Sequence, residues 1–204
     1  MTIRYHRGDL PESYSATHAV AVDTETLGLN PFRDRLCVVQ VSTGDGTADI
    51  VQILKDGPRP KRLVRLLADR SVLKIFHFAR FDLAVIERYL GVMPEPVYCT
   101  KIASKLTRTY TDKHGLKDLV RELLGVNLQK EQQSSDWGAD LLTPAQLDYA
   151  ASDVLHLHTL KERLDTLLAR EGRSEIAERC FAFLATRARL DLMGWAETDI
   201  FAHS

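Results

Sequence analysis

Three short stretches carry the residue types that hold cations and move protons. Asp23-Thr24-Glu25 sets two carboxylates one residue apart, Asp82 ends the run His77-Phe78-Ala79-Arg80-Phe81-Asp82, and Tyr149 stands four residues before Asp153. Each has an ordinary explanation when taken alone. Two acids at a strand end can be a solvated turn. An acid in the first turn of a helix is stabilised by the helix dipole. A tyrosine and an acid at i and i+4 are common on helix surfaces. Gathered in one pocket, the four carboxylates would repel one another, by about 4 kcal/mol for a pair ~4 Å apart at an effective dielectric of 20. Divalent cations would remove that cost, and an all-oxygen donor set favours hard ions such as Mg²⁺ or Mn²⁺.

The elements around these residues follow from hydrophobic period and breakers. Ala19–Val22 is a short apolar run ending at Asp23, and Leu36–Ser42 is a second. Both read as strands, and on a strand residues i and i+2 share a side, so Asp23 and Glu25 project together. A turn at Gly44-Asp45-Gly46 leads to a third strand near Asp49–Ile53, which completes an antiparallel meander. Lys61–Ala68 has helical periodicity, and Val72–Phe76 is a fourth strand. Phe81, Val85, Ile86 and Tyr89 mark a helix face that stops at Gly91. Pro94 and Pro96 precede a short strand at Val97–Cys99, and Ile102–Leu106 and Leu116–Leu124 read as helices. Pro144 suits the first turn of one long helix reaching about Ala169, Gly172 ends it, and Glu175 to Leu192 forms a final helix. Position i and i+4 put Tyr149 and Asp153 on one helix face. The order of elements predicts an α/β fold, a mixed central sheet with helices on both faces, in a single domain over 1–204.

Composition narrows the partners. Lys plus Arg is 27 and Asp plus Glu is 28, for a net charge of −1. A coat for long nucleic acid would show a basic excess, so any contact of that kind must be local. Cys37, Cys99 and Cys180 are odd in number and far apart, so neither a disulfide framework nor a zinc site is suggested and a reducing compartment is expected. No apolar run reaches membrane-spanning length and the N-terminus lacks a signal-peptide core, so a cytoplasmic protein with no membrane partner is expected.

Taken together, acid-x-acid, then an acid, then Tyr-x-x-x-Asp resembles the DEDD superfamily of 3′-5′ exonucleases, in its tyrosine-bearing, ribonuclease D-like branch. Gly115-Leu116-Lys117-Asp118-Leu119-Val120, Lys130 through Trp137, and Gln146 through Val154 are also similar to that family. The resemblance covers about 15–170, leaving a helical segment at 173–201, and no helicase-and-RNase-D C-terminal domain is expected. It implies an RNase H-like fold of the ribonuclease D type. One departure concerns Asp140-Leu141-Leu142, which stands where the family usually carries Arg-Pro-Leu. A lone catalytic domain of this size resembles the nanoRNase C group, which degrades dinucleotides and other very short RNA.

The resemblance implies Asp23, Glu25, Asp82 and Asp153 as ligands of two Mg²⁺ or Mn²⁺ ions. Tyr149 would orient or deprotonate the attacking water, and orientation is the easier task for a group whose free pKa is about 10. The implied activity is metal-dependent hydrolysis from the 3′ end of RNA or short oligonucleotides, releasing nucleoside 5′-monophosphates. A 3′-5′ DNA exonuclease and a non-catalytic nucleic-acid-binding module on the same fold are the alternatives. Candidate substrate contacts are Thr24, Leu27, His77, Phe81, Lys101, Lys105 and Trp137. Leu27 resembles the family residue that wedges between the last two bases, with ordinary turn packing as the rival. His77 and Phe81 either stack on a base or sugar or are buried. Lys101, Lys105, Arg108, Lys113 and His114 form a local basic stretch that could hold a phosphate or be a solvated face. For Trp137, packing is favoured over stacking. The apolar C-terminal residues, among them Phe183, Met193, Trp195, Ile200 and Phe201, exceed what a core needs and predict a homo-oligomer. The nanoRNase C resemblance implies an octameric ring.

Overall fold

Leu36–Ser42 is buried at every position, so both faces of this strand are covered. It lies inside a six-stranded mixed sheet in a computed structural model that describes residues 1–128, 132 and 134–203. The elements are β1 (Thr2–Arg7), β2 (Ala19–Thr26), β3 (Leu36–Ser42), β4 (Thr47–Gln52), α1 (Lys61–Ala68), β5 (Leu73–Phe76), α2 (Ala79–Leu90), β6 (Val97–Cys99), α3 (Thr100–Thr107), α4 (Leu116–Leu119), α5 (Pro144–Leu155), α6 (Leu157–Arg170) and α7 (Ser174–Leu190). The strand order is β1-β4-β3-β2-β5-β6. β2, β3 and β4 form the expected antiparallel meander. β5 and β6 then join in parallel beyond β2.

The parallel β2–β5 pair, with Ala19 opposite Leu73 and Ala21 opposite Ile75, brings the C-terminal ends of both strands to one edge. That edge of an open α/β sheet is where ligands bind. β2 delivers Asp23 and Glu25 there. The chain leaving β5 delivers His77 and, one helical turn later, Asp82. Phe78 makes the strand-to-helix turn in the left-handed region, at φ 66° and ψ 43°. It is the one non-glycine residue with positive φ among the described residues.

α5 lies across β1, β2, β3 and β4. Thr143 and Gln146 close its N-terminus with a reciprocal capping box, and Pro144 occupies the first turn. Ala150, Ala151 and Val154 are fully buried against the sheet, and their small size lets the helix approach closely. α7 packs on α2, α3 and β6.

Four expectations need correction. β1 was absent from the sequence reading, because TIRYHR is too polar for an apolar-run signal; it is an edge strand pairing in parallel with β4. An ion pair from Arg4 at 2.9 Å and a hydrogen bond from His6 Nε2 at 2.7 Å, both to the buried Asp49, hold it there. The single long helix from Pro144 is two helices, interrupted at His156 (φ −101°, ψ −7°), which lets His158 reach the Ser42 carbonyl at 3.0 Å. The helix expected at Leu116–Leu124 is one α-turn followed by a π-helical turn over Val120–Leu124. The final helix ends at Leu190 and continues as a π-helical turn over Asp191–Trp195. Within the family-like stretch Lys130–Trp137, Lys130, Glu131 and Gln133 lie outside the described residues.

Candidate active site

Asp23, Glu25 and Asp153 each present a carboxylate oxygen within 4.8 Å of the others. The strand alternation of β2 and one face of α5 therefore meet as expected. A β-bulge between Glu25 and Thr26 sits at this point in the β2–β3 ladder, a device that re-aims side chains beside functional sites. Asp82 lines the same cleft of about 650 Å³ but stands outside this tight trio. Its Oδ1 accepts a hydrogen bond from Thr24 Oγ1 at 2.6 Å. Thr24, the residue between the two acids of β2, thus positions the fourth acid.

Among the described residues no lysine or arginine pairs with any of these carboxylates. Asp23 Oδ2 accepts from Gln40 Nε2 at 3.0 Å, its neighbour across the β2–β3 ladder. Desolvation then dominates. Burial, followed by the charges of Asp82, Asp153 and Glu25, pushes the Asp23 carboxyl well above its ordinary range. Burial, then Asp153 and Asp82, pushes Glu25 up to about 9. Burial raises Asp82 to about 7 against the opposing hydrogen bond from Thr24. Burial also raises Asp153 to about 7, with the Tyr149 hydroxyl pulling the other way. Four desolvated, mutually repelling carboxylates with no protein counter-charge form a donor set suited to hard divalent cations, so the residues present fit Mg²⁺ or Mn²⁺.

Tyr149 faces the acids. Burial, and then Asp153, Glu25 and Asp23, push its hydroxyl far above the ordinary tyrosine value, so it stays protonated and acts as a donor. The Trp137 ring lies 6.0 Å from the Tyr149 ring at 43°, and Trp137 is almost completely buried. Trp137 therefore braces Tyr149, in line with the packing role expected of it. Leu27 projects half-exposed into the cleft. Its Cδ2 would come within 2.6 Å of any Cβ added at Gly138, so that glycine is what allows Leu27 its place.

His77, Phe81 and Lys101 also line the cleft. Lys105 does not; it lines a neighbouring apolar pocket of about 520 Å³ that shares Phe78 and Lys101 with the cleft. One helical turn of α3 separates the two lysines, which carries Lys105 out of reach. Arg108, from the same basic stretch, is a structural residue: it is buried, ion-paired with Glu122, and donates to Ser104 Oγ at 3.1 Å and the Lys113 carbonyl at 2.7 Å. Three contributors escaped the sequence reading. Gln40 carries a sequence signal, as an amide flanked by valines inside LCVVQVS. Lys117 lines the cleft from the family-like stretch at 115–120. Phe78, whose ring carries the Lys101 ammonium 4.3 Å from its centroid, had no local signal.

This fold and this set of acids define the class. The 3′-5′ exonuclease family profile matches residues 8–169. The chain belongs to that family, as a ribonuclease D-like member with the tyrosine-bearing acid set, and its mixed sheet is the RNase H-like exonuclease fold. Over the full length of both chains it is 64% identical to Brucella melitensis NrnC with bound Mg²⁺, at a TM-score of 0.95. Brucella melitensis NrnC bound to pGG matches at 64% identity over both full chains with a TM-score of 0.96. Escherichia coli RNase D, an exoribonuclease involved in structured RNA processing, is 27% identical at a TM-score of 0.75, covering 84% of this chain and 45% of that one. Ribonuclease D of Granulibacter bethesdensis is 35% identical over 154 residues, 76% of this chain and 38% of that protein. The chain spans about two fifths of the length of the curated ribonucleases D it matches. Among the described residues no helix is long and apolar enough to cross a membrane.

Proposed function

We propose that this chain is a divalent-metal-dependent 3′-5′ exoribonuclease that acts on very short RNA and releases nucleoside 5′-monophosphates. The observation that carries the reading is the group of half-buried and buried acids that no described lysine or arginine pairs, with Tyr149 as a protonated donor beside it. Asp23, Glu25, Asp82 and Asp153 would hold two Mg²⁺ or Mn²⁺ ions. Two such ions, when bound, supply the positive charge that phosphoryl transfer requires at the attacking and departing oxygens. The remaining work falls to the chain. Tyr149 directs its hydroxyl at the attacking water and orients it for in-line approach to phosphorus. The bond to the 3′-oxygen breaks, that oxygen takes up a proton, and the 5′-phosphate stays with the released nucleotide. Leu27 separates the last two bases, and Lys101 and Phe81 line the path of the backbone.

Substrate length follows from charge and space. A net charge of −1 gives no extended basic track, and a cleft of about 650 Å³ encloses a ligand of very few nucleotides. The pGG bound to the Brucella melitensis relative is of that size. Residues 1–204 act as one unit in this reading, with 173–201 bracing α2. Ile176, Met193, Ile200 and Phe201 are exposed near the chain's end, and they support self-association, an octameric ring in the fullest form of the reading. A monomer in sedimentation at micromolar concentration contradicts that part.

The deciding experiment is a time course on 5′-labelled RNA of two to twenty nucleotides, with Mg²⁺ and with chelator, beside matched DNA. Fast, chelator-sensitive loss of the shortest RNA is expected. Equal rates at all lengths overturn the short-substrate reading, and preferential loss of the DNA overturns the ribonuclease reading.

A further inference from the structure

His77 follows β5 and lines the cleft. Its Nδ1 lies 2.9 Å from Thr100 Oγ1. The Thr100 hydroxyl has a single proton, and it donates that proton to the Phe76 carbonyl at 3.2 Å. Thr100 is fully buried, so no solvent competes for its lone pairs. With that proton on the Phe76 carbonyl, which can only accept, the hydroxyl oxygen accepts from His77 and Nδ1 carries the ring hydrogen. Burial, and then the charge of Lys101, push the imidazole down to about 3, which keeps it neutral. A neutral ring protonated on Nδ1 has a bare lone pair on Nε2. Among the described residues the ring's one hydrogen bond is that to Thr100, so Nε2 is without a protein donor.

In the acid-lined cleft that His77 borders, a bare lone pair has few partners. Carboxylates and phosphate oxygens are acceptors and would be repelled. Water can donate to it in the free protein, and in the occupied cleft a substrate donor takes that place; an exonuclease that strips nucleotides of any sequence cannot depend on a base amino group. The donor that every ribonucleotide presents beside its phosphate is a ribose hydroxyl. We propose that His77 reads a ribose hydroxyl of the bound substrate through Nε2, with Thr100 fixing the tautomer that makes this possible. This deepens the exoribonuclease reading and rests on it. The hydroxyl is either a 2′-OH, in which case His77 separates RNA from DNA, or the terminal 3′-OH.

The test couples a side-chain change to a substrate change. His77→Asn leaves an amide where Nδ1 meets Thr100 and removes Nε2. Wild type and variant are compared on a ribodinucleotide, its 2′-deoxy analogue and its 3′-deoxy analogue. On the ribodinucleotide kcat/KM should fall about tenfold, the scale of one hydrogen bond. The analogue that lacks the hydroxyl held by His77 should be cut equally by both proteins, and its identity names the hydroxyl. An equal loss on all three substrates overturns the proposal. Thr100→Val provides a second variant with His77 intact, and the same pattern is expected there at about threefold. Nitrogen-15 NMR of the histidine rings at pH 7 should show hydrogen on Nδ1 of His77 and none on Nε2; hydrogen on Nε2 overturns the proposal without any assay of turnover. Failure of the exonuclease reading itself would show separately, as wild-type protein that leaves the ribodinucleotide intact in Mg²⁺.

Discussion

Asp191 and the acids of the cleft are all carboxylates withdrawn from water, yet the chain treats them in opposite ways. Asp191, just past α7, accepts from Arg80 Nε at 2.5 Å and from Arg187 Nη2 at 2.5 Å. The same two arginines continue to the carbonyls of Ala196 and Trp195, tying the chain's end to the start of α2. Among the described residues no arginine or lysine pairs with Asp23, Glu25, Asp82 or Asp153; Asp23 accepts from Gln40, Asp82 from Thr24, and the Tyr149 hydroxyl acts on Asp153. A buried acid with two arginines is a fastening. A group of desolvated acids with none is a cost in the metal-free protein, and in the proposed function cations and substrate would offset it.

The comparison breaks most visibly under paired substitutions. Asp153→Asn should remove turnover by at least ~10³-fold while raising the melting temperature of chelated protein at pH 8, since it deletes one repelling charge. Asp191→Asn should do the reverse. It leaves two arginines short of their partner, costs roughly 3 kcal/mol of stability, and keeps turnover within about twofold of wild type. Steady-state kinetics and thermal melts of both variants check this; a stabilised Asp191→Asn protein would erase the distinction. Tyr149→Phe removes the hydroxyl alone and should lower kcat by about 10²-fold with KM nearly unchanged.

A pH series sharpens the same contrast. In the cleft the folded-state values are raised, to about 9 for Glu25 and about 7 for Asp82 and Asp153. The folded protein therefore holds more protons than the unfolded chain between about pH 4 and pH 9, and stability falls across that window as pH rises. Chelated protein should lose melting temperature from pH 5 to pH 9, and saturating Mg²⁺ should flatten the slope. A flat profile in chelator contradicts the uncompensated cluster. The smallest effect is expected from Gly138→Ala, whose new Cβ would meet Leu27 Cδ2 at 2.6 Å and shift it. KM for a dinucleotide should rise about threefold, readable by titrating substrate.

Relations within one element were legible before any coordinates. Asp23 and Glu25 share a strand face, and Tyr149 and Asp153 share a helix face, because backbone period alone fixes which side chains point together. The types, order and element context of the acids, the meander and the mixed sheet follow from the same local rules. What required the tertiary structure was every relation between elements. The distance of Asp82 from the tight trio, the Thr24 and Gln40 contacts, the separation of Lys101 from Lys105 and the capture of Arg108 by Glu122 depend on how distant segments pack. So do the polar edge strand β1, held by pairing with β4, and the break at His156, which a continuous apolar period conceals. The setting of His77 belongs to this group too, because Thr100 reaches it and the neighbouring Phe76 carbonyl only through the pairing of β5 with β6.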